Sequence, residues 1–420
     1  MKGIGIGESD FRGLRVRDNY YIDKTMFIKH IIDNESRVIL ITRPRRFGKT
    51  LNMSMLRYYL DCNKTGSNEY FKGLKIMEQG EEYTSKLGYY PCIYITLKDV
   101  NTETYEKMLE SMKTAITDMY LDHMYLFDSD KVYQFEKDKI NDILYRREDE
   151  ETLRNSVREL SKYLNRHFDK PVYIIVDEYD VPLQTAYVEG FYDEAVKFFK
   201  TFYGLTFKDN PCMEKTVLTG VSRVAKESIF SGANNFNVYT VLDNEFNEDF
   251  GITREEIKKV IQDFNIEDDE EEIAKWYDGY KIGDMEGIYN PWSILNYLTD
   301  RKLIPYWVNT SSNDLIKLIL KKSSTVKQKI EKLLRGEEIE AKINLETVIV
   351  GIENNEENIW GLLVGTGYLK VTGIVDLATK IYKVKIPNYE IKFLFSEIID
   401  DWFRNKVIGN DLNSILKDNH

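Results

Sequence analysis

The sequence has few of the residues from which disulfide frameworks and metal sites are built. Its 420 residues include 3 cysteines and 4 histidines. These lie far apart and form neither a CxxC pair nor a Cys/His cluster, so a disulfide scaffold, a zinc site and a histidine-based triad are unsupported. An odd number of unpaired cysteines fits a reducing compartment, and we expect the protein to be cytoplasmic.

Long apolar segments and an excess of basic residues are also lacking. No apolar run approaches the roughly 20 residues that a membrane-spanning helix needs, and the N-terminus has no sustained apolar region like that of a signal peptide. The formal net charge of -12 argues against a surface that coats nucleic acid or anionic membrane everywhere. We therefore expect no membrane partner, DNA binding has no support from the net charge, and any basic site must be local.

What the sequence does contain is a series of short β-rich runs separated by long helical stretches. This pattern is typical of a parallel sheet with crossover helices. The predicted strands are Arg37–Thr42, Pro91–Leu97, Pro171–Asp177, Lys215–Gly220 and Asn237–Leu242. The helices predicted between them are Lys49–Asp61, a long region from about Glu103 to Arg166, and Tyr192–Phe207.

Beyond about residue 249 the strands nearly stop and the pattern becomes helical. The length itself predicts two or three domains at about 150 residues each. We expect an α/β domain over residues 1–249 and a mainly helical domain over 250–420, with a small β-hairpin near 368–386. The elements predicted in the second domain are helices Pro291–Asp300, Ser312–Leu320, Val326–Arg335 and Glu356–Thr366, and hairpin strands Tyr368–Ile374 and Lys380–Ile386.

The strongest chemical signal is the segment Arg43–Thr50, RPRRFGKT, which lies between the first predicted strand and the helix that follows. Gly-Lys-Thr in this position is the setting of a phosphate-binding loop. Gly48 would let the backbone approach a phosphate, Lys49 would bridge the β- and γ-phosphates, and the hydroxyl of Thr50 would ligate magnesium. By itself the tripeptide has a competing explanation, a chance match at the start of an exposed helix.

One position of the loop departs from the usual GxxxxGK[ST] pattern. Arg43 stands where that pattern has its first glycine, which is tolerable if the position needs no positive φ. With Arg45 and Arg46 it adds positive charge to the loop. The residues predicted to contact the nucleotide are Arg43, Pro44, Arg45, Arg46, Phe47, Gly48, Lys49, Thr50 and Leu51.

A second motif makes a chance match less probable. The apolar run from Val172 ends in two carboxylates, Asp177 and Glu178, and ligands bind at the carboxyl ends of parallel strands. Asp177 would hold Mg²⁺ through water, and Glu178 would orient and deprotonate a water for attack on the γ-phosphate. The strand Pro91–Leu97, which intervenes along the chain, and the Asp-Glu pair are typical of hydrolytic or switch-like ATPases rather than of nucleotide kinases.

A third motif, Leu218–Arg223, follows the fourth strand. A polar residue there would sense the γ-phosphate, and Arg223 would neutralise charge in the transition state, within one chain or across a subunit contact. An oligomer is therefore possible. The alternative is an ordinary turn with Arg223 in a surface ion pair. For Asp23 and Lys24 the sequence leaves two interpretations open, shaping of the adenine pocket or pairing on the surface.

Together these motifs resemble the AAA-ATPase-like proteins that many bacteria encode in multiple copies. The resemblance implies a P-loop ATPase core of the ASCE or AAA type, a helical lid, and ATP rather than GTP as the nucleotide. An arginine in the first glycine position resembles the family's own variant of the loop. The motifs that carry the resemblance are Tyr21–Thr25, Arg43–Thr50, Val176–Asp180, Leu218–Arg223, Tyr277–Tyr280, Asn290–Ser293, Trp307–Ser311 and Ile386–Asn388.

Many proteins of this family continue into a nuclease-like domain of the PD-(D/E)XK type. That domain would begin near Ile386–Asn388, and we expect it to be absent. Glu390-Ile391-Lys392, with Asp376 upstream, spells an ExK element. Its apolar spacing is helical, whereas a metal-dependent nuclease needs ExK on a strand, so we interpret it as a chance match.

The sequence predicts an ATPase that uses ATP and Mg²⁺ to drive or gate a conformational change in an unknown protein partner. Lys49, Asp177, Glu178 and Arg223 are the predicted catalytic residues, and Thr50 and Asp177 are the predicted magnesium ligands. The alternatives are a nucleotide-dependent switch with little turnover that regulates a protein or DNA, a phosphotransferase, and a remnant of a nuclease system.

Overall fold

The computed structural model describes residues 2–64, 66–208, 210–224, 236–268, 270–307, 324–347 and 355–398. The chain forms two compact units. The first comprises Met1–Gly251, Ile282–Asp284 and Glu346–Val350, and the second comprises Ile252–Lys281, Met285–Leu345 and Gly351–His420. Within the described part of the chain, no helix has the length and apolar character required to cross a membrane.

The first unit is built on a five-stranded parallel sheet with the strand order β2-β3-β4-β1-β6. All five predicted strands are present, and the predicted fold class is confirmed. The strands of this unit are β1 (Val38–Thr42), β2 (Cys92–Thr96), β3 (Val172–Asp177), β4 (Met213–Gly220), the two-residue β5 (Arg223–Val224) and β6 (Phe236–Tyr239). β5 pairs with β10 (Glu346–Thr347).

Helices cover both faces of this sheet, which is why its strands are nearly continuous apolar runs. The helices of the first unit are α1 (Phe11–Val16), α2 (Met26–Asp33), α3 (Lys49–Leu60), α4 (Asn68–Phe71), α5 (Glu81–Thr84), α6 (Tyr105–Leu121), α7 (Gln134–Leu144), α8 (Glu150–Phe168), α9 (Val181–Glu189) and α10 (Tyr192–Phe207), with 3₁₀ turns at Lys75–Glu78 and Met124–Asp128.

Strand β3 illustrates how burial on both faces fixes the sheet. Ile174 and Val176 join the core formed with α6, α8 and α10. Ile175, between them, is equally buried, and alternation along the strand places it on the opposite face. Each such side chain stabilises the fold by about 1.5–3 kcal/mol through removal from water. Asp177, the polar residue that ends the strand, is therefore held at the carboxyl end of the sheet by a rigid element.

The order of the strands decides which motifs meet. β4 lies between β1 and β3, and β2 and β6 are the two edge strands. The predicted strand Pro91–Leu97 precedes β3 along the chain. In the sheet, however, β4 is the strand between β1, which leads into the phosphate loop, and β3, which ends in Asp177. Because β1, β3 and β4 are parallel neighbours, their carboxyl ends carry all three sequence motifs to one edge.

The second unit is mainly helical. Its helices are α11 (Arg254–Asp263), α12 (Glu270–Tyr277), α13 (Pro291–Asp300), α14 (Ser324–Leu334) and α15 (Glu356–Gly365), and residues 389–398 are helical. Its strands are β7 (Tyr280–Ile282), paired with β8 (Met285–Ile288), and β9 (Ile339–Lys342), β11 (Lys370–Asp376) and β12 (Ile381–Lys385) in the order β11-β12-β9. The predicted helix Ser312–Leu320 lies outside the described residues.

The predicted hairpin is present as β11 and β12, and it gains β9 as a third antiparallel strand. β9 was not predicted from the sequence. Ile339 and Ala341 are buried, while Glu340 and Lys342 between and after them are exposed. Only four residues carry this alternation, which is too short a signal to identify a strand by itself.

The ExK element has a structural role in this unit. Glu390 lies on the last described helix and is fully buried. Its carboxylate accepts hydrogen bonds from the Ser293 hydroxyl at 2.8 Å and the Trp307 main-chain N–H at 2.6 Å. Asp376, at the end of β11, instead caps its own turn by accepting from the Thr379 hydroxyl at 2.6 Å. The chance interpretation rested on a helix at Glu390, and a helix is present there.

The burial of Glu390 predicts that the stability of the protein depends on pH. Burial raises the pKa of this carboxyl from 4.5 to about 7, against the hydrogen bonds to Trp307 and Ser293. Folding therefore favours the protonated form of Glu390. The stabilisation that the protonated carboxyl contributes is present below the pKa of the unfolded chain and is lost as the pH rises through the folded-state pKa of about 7. We expect the melting temperature of the unmodified protein to fall relative to that of Glu390→Gln between about pH 5 and 8.

Thermal unfolding followed by circular dichroism across this pH range would measure the difference. Glu338→Gln is the matched control, because Glu338 is exposed. It should give an offset that does not change with pH. A constant offset for Glu390→Gln as well would contradict the assignment.

Candidate nucleotide-binding site

The loop between β1 and α3 has the backbone that a phosphate site requires. Gly48 has φ 84° and Arg46 has φ 67°, so two residues lie in the left-handed region. Glycine adopts this conformation without strain, whereas arginine adopts it at a cost of roughly 1–2 kcal/mol. α3 begins at Lys49, directly after Gly48. The first N–H groups of a 12-residue helix therefore face the loop, where an anion is stabilised.

Lys49 crosses the loop with its ammonium group buried. The side chain is 3% exposed, and its Nζ donates to the Pro44 carbonyl at 3.2 Å. The same Nζ lies 3.5 Å from the Glu178 Oε1. The lysine of the first motif and the glutamate of the second, from two segments far apart along the chain, are thus brought together.

Asp177 ends β3 with no exposed surface. Its Oδ1 accepts from the Thr219 hydroxyl at 2.8 Å, and its Oδ2 is buried without a hydrogen-bond partner. Burial and the neighbouring Glu178 raise the pKa of the Asp177 carboxyl to about 6, and interactions with Thr219, Thr50 and Lys49 oppose the rise. An unpartnered buried carboxylate oxygen close to Thr50 is suited to a cation or to a water molecule bound by a cation.

Protein side chains alone do not form a cation site here. The described ranges contain no group of three or more His, Cys, Asp or Glu side chains placed to hold a metal. Magnesium in nucleotide sites typically takes one or two protein ligands and completes its shell with phosphate oxygens and water. The pair Thr50 and Asp177 fits that coordination.

Glu178 follows Asp177 with a strained backbone. Its φ is 55°, a conformation that few non-glycine residues adopt and that clusters at functional sites. The side chain is 20% exposed, so it is reached by solvent at one end and by the Lys49 ammonium group at the other. Its charge also acts on the exposed Arg46 of the loop.

Asp180, which has no role predicted from the sequence, joins the second and third motifs. Asp180 is fully buried, and its Oδ2 accepts from the main-chain N–H groups of Val221 at 3.0 Å and Ser222 at 2.8 Å. The Ser222 hydroxyl and the Gln184 amide donate to the same oxygen. Asp180 therefore fixes the turn after β4. The available signal was a third acid, two residues after the Asp-Glu pair.

The end of β4 is held between the other two motifs. The Arg43 N–H donates to the Gly220 carbonyl at 3.1 Å, and the Tyr179 N–H donates to the Thr219 carbonyl at 3.0 Å. A Cβ at Gly220 would lie 2.5 Å from Asp180 Oδ1 and 2.6 Å from the Tyr179 ring. Glycine is required there by close packing rather than by φ. Thr219 is thus a positioned polar residue beside Asp177.

Arg43 is not where the sequence analysis placed it. Its side chain is fully buried, and the guanidinium donates to main-chain carbonyls instead of extending the positive surface of the loop. The acceptors are the carbonyls of Thr42, Tyr239, Thr240, Glu245 and Phe246, at 2.8–3.1 Å. The reason is length, since an arginine side chain in place of the first glycine reaches past the loop to these carbonyls. Its predicted contribution to the charge of the site is corrected accordingly.

The other predicted loop residues differ in exposure. Pro44 and Phe47 are buried, Arg45 and Leu51 are half-buried, and only Arg46 is exposed. Arg45 and Arg46 are therefore the loop arginines accessible to a bound anion. Contact of these residues with a nucleotide stays a prediction.

Arg223, Asp23 and Lys24 take no part in the contacts described above. Arg223 is in β5, where it pairs in register with Glu346, and its part in charge neutralisation stays a prediction. Asp23 accepts from the Thr25 hydroxyl at 2.6 Å, and the Lys24 Nζ donates to the Glu248 carbonyl at 2.7 Å. These contacts favour a structural role for both residues over the adenine pocket.

The fold and the loop define an α/β protein of the P-loop class. The family model described as Predicted AAA-ATPase matches residues 4–230, which is more than half of the chain, and the protein belongs to that family. The predicted family is confirmed. Membership indicates a nucleotide-binding, ATPase-like protein.

A curated relative resembles nearly the whole chain. It is the "Uncharacterized protein in vnfD 5'region" of Azotobacter chroococcum mcd 1, 23% identical over 401 residues. The match covers 95% of this chain and 70% of the relative. Its printed name gives no activity, so chemistry must be inferred from the site.

Proposed function

We propose that the protein binds ATP with Mg²⁺ at the loop residues Pro44–Leu51, which follow the buried Arg43, and hydrolyses it. The observation that carries the proposal is the approach of Lys49 Nζ to Glu178 Oε1 at 3.5 Å, beside the buried Asp177. A phosphate-binding cation, a magnesium-binding carboxylate and a water-activating carboxylate thereby occupy one edge of the sheet. These are the groups that phosphoryl transfer to water requires.

Each residue has a defined task in this mechanism. The N–H groups at the start of α3 and the Lys49 ammonium bind the β- and γ-phosphates and neutralise charge as the bond to the leaving phosphate breaks. Glu178 accepts the proton of the attacking water. Thr219 holds Asp177 in place through its hydroxyl. Thr50 and Asp177 would hold Mg²⁺, which when bound withdraws charge from the phosphate oxygens.

The proposed function also involves partners of the protein. Hydrolysis would drive or gate a conformational change in an unidentified protein partner in the cytoplasm. Arg223 would stabilise transition-state charge from the same chain or from a neighbouring copy, which makes assembly a determinant of turnover. Bound DNA is the second class of partner to test, although the net charge of -12 gives it no support.

The geometry also favours a second candidate, a nucleotide-dependent switch with little turnover. The Lys49 ammonium lies 3.5 Å from Glu178 and competes with water for that carboxylate. A base held in this way would hydrolyse ATP slowly while the protein still distinguishes ATP from ADP.

Lys49→Ala should weaken ATP binding by about 10- to 100-fold, because a charged hydrogen bond to phosphate contributes about 1.5–3 kcal/mol. Isothermal titration with Mg-ATP would measure the dissociation constant. Lys29→Ala is the matched control, since Lys29 pairs with Asp33 at 2.6 Å and lies outside the loop. Equal affinity for ATP in Lys49→Ala and the unmodified protein would overturn the proposed site.

A further inference from the structure

The segment 239–251, which we call the latch segment, begins at the last residue of β6 and ends at Gly251, where the first continuous stretch of the first unit ends. Arg43 donates four hydrogen bonds to it. Arg43 Nη1 donates to the carbonyls of Tyr239 at 3.1 Å and Thr240 at 2.8 Å, and Nη2 donates to those of Glu245 at 3.0 Å and Phe246 at 3.1 Å. One side chain therefore fixes both ends of the turn within the latch segment.

Two carboxylates of the latch segment favour the charged form of Arg43. Burial lowers the pKa of the guanidinium to about 10, and the carboxylates of Asp249 and Asp243 oppose the shift. The group stays protonated at neutral pH, and both acids belong to the latch segment. The guanidinium carbon also lies 5.5 Å from the centre of the Phe250 ring. The electrostatic partners of Arg43 thus lie in the latch segment.

Two more hydrogen bonds join the latch segment to the phosphate loop and its helix. The Gly251 N–H donates to the Phe47 carbonyl at 3.3 Å, and the Asn52 amide donates to the Asp249 carbonyl at 2.8 Å. Together with the Arg43 hydrogen bonds, these contacts attach the latch segment at three places. They are Arg43, the first residue of the loop, Phe47, the residue before Gly48, and Asn52, in the first turn of α3. A shift of the loop at any of these points either breaks one of these hydrogen bonds or displaces the latch segment.

We propose that Arg43 is a positioning residue that couples the latch segment to the nucleotide state of the phosphate loop. The proposal rests on the proposed function, since it needs a nucleotide at Lys49. A ligand shifts a conformational balance only through contacts that differ between two states. Phosphate binding alters the loop where Lys49 now donates to the Pro44 carbonyl, and the Arg43 contacts transmit that change.

The coupling explains why arginine replaces the first glycine of the phosphate-loop pattern. Glycine at this position supplies backbone freedom, whereas arginine supplies donors for carbonyls of a segment distant along the chain. Arg43→Gly restores the usual pattern and removes these donors. It therefore separates the phosphate-binding role of the loop from its attachment to the latch segment.

Hydrogen exchange measured by mass spectrometry on the full chain, with and without saturating Mg-ATP, tests the coupling. In the unmodified protein we expect Mg-ATP to slow exchange in peptides from the loop, residues 43–52, and from the latch segment. In Arg43→Gly, protection of the loop should persist, while the nucleotide-dependent change in the latch segment is lost. Asn52→Ala is a milder second variant and should reduce that change by at least about twofold.

Arg37→Gln is the matched control. Arg37 donates to the Met213 carbonyl at the opposite end of β1, so its loss should leave the nucleotide-dependent protection of the latch segment intact. Loss of that protection in Arg43→Gly and its reduction in Asn52→Ala would support the coupling.

Three outcomes would overturn the proposal, and they are distinguishable. If Mg-ATP protects the loop of the unmodified protein but leaves exchange in the latch segment unchanged, Arg43 is only structural and the proposed function survives. If Mg-ATP protects neither region, the proposed function fails and the coupling fails with it. Full nucleotide-dependent protection of the latch segment in Arg43→Gly would also exclude Arg43 as the coupling residue.

Discussion

Glutamine in place of Glu178 should leave ATP bound and reduce its hydrolysis by about 100- to 10,000-fold, the usual contribution of a positioned general base. The amide keeps the shape of the side chain but cannot take a proton from water. It also removes the negative charge 3.5 Å from Lys49 Nζ. Affinity for ATP should therefore be equal or higher in Glu178→Gln, so that only turnover is lost.

Steady-state phosphate release and equilibrium binding of Mg-ATP, measured on the same preparations, test this prediction. Glu189→Gln is the control, because Glu189 is exposed at the end of α9 and should release phosphate at the unmodified rate. Normal release by Glu178→Gln would exclude Glu178 as the base. Equally slow release by the unmodified protein would instead support the nucleotide-dependent switch.

The same assay tests the alternative that the protein is a phosphotransferase. A phosphotransferase would form ADP in proportion to an added acceptor, and its rate would not depend on a residue that activates water. If Glu178→Gln abolishes release while ATP stays bound, water is the acceptor. The Asp-Glu pair at the end of β3 then has the division of labour that the sequence predicted.

The elements that the sequence predicted best are those in which a single segment carries the whole signal. β3 is a continuous apolar run because both faces of the sheet are covered, and the predicted strand Pro171–Asp177 differs from the observed Val172–Asp177 by one residue. α10 and α13 have the predicted bounds, Tyr192–Phe207 and Pro291–Asp300. Their apolar spacing and flanking residues are local properties.

The features that could not be predicted depend on partners distant along the chain. The role of Arg43 is set by carbonyls some 200 residues away, and no local pattern encodes which groups a buried guanidinium will meet. The position of β4 between β1 and β3 is likewise a consequence of sheet assembly. The phosphate loop, by contrast, was predictable because a strand, a glycine and a helix start are all local.

Asp180 is the clearest example of a site residue hidden in a recognised motif. Its carboxylate accepts four hydrogen bonds from Val221, Ser222 and Gln184. In Asp180→Ala the two main-chain N–H groups stay buried without acceptors, at about 1–3 kcal/mol each. We expect unfolding free energy to fall by about 3 kcal/mol or more.

Turnover should fall further than stability alone explains. The turn that Asp180 holds begins directly after Thr219 and Gly220, and Thr219 positions Asp177 at 2.8 Å. A displacement near 1 Å at such a position typically costs about 100-fold in rate. Phosphate release by Asp180→Ala, measured at a temperature where circular dichroism reports a folded protein, should therefore drop by about that factor while Mg-ATP still binds.

Asp180→Asn decides whether hydrogen bonding or charge is responsible. Asparagine can present its amide oxygen to the Val221 and Ser222 N–H groups and place its NH₂ where Asp180 Oδ1 is buried without a partner. Burial raises the pKa of Asp180, so a neutral side chain is acceptable at this position. The asparagine variant should retain most stability and turnover. If it behaves like alanine, the negative charge is what the turn after β4 requires.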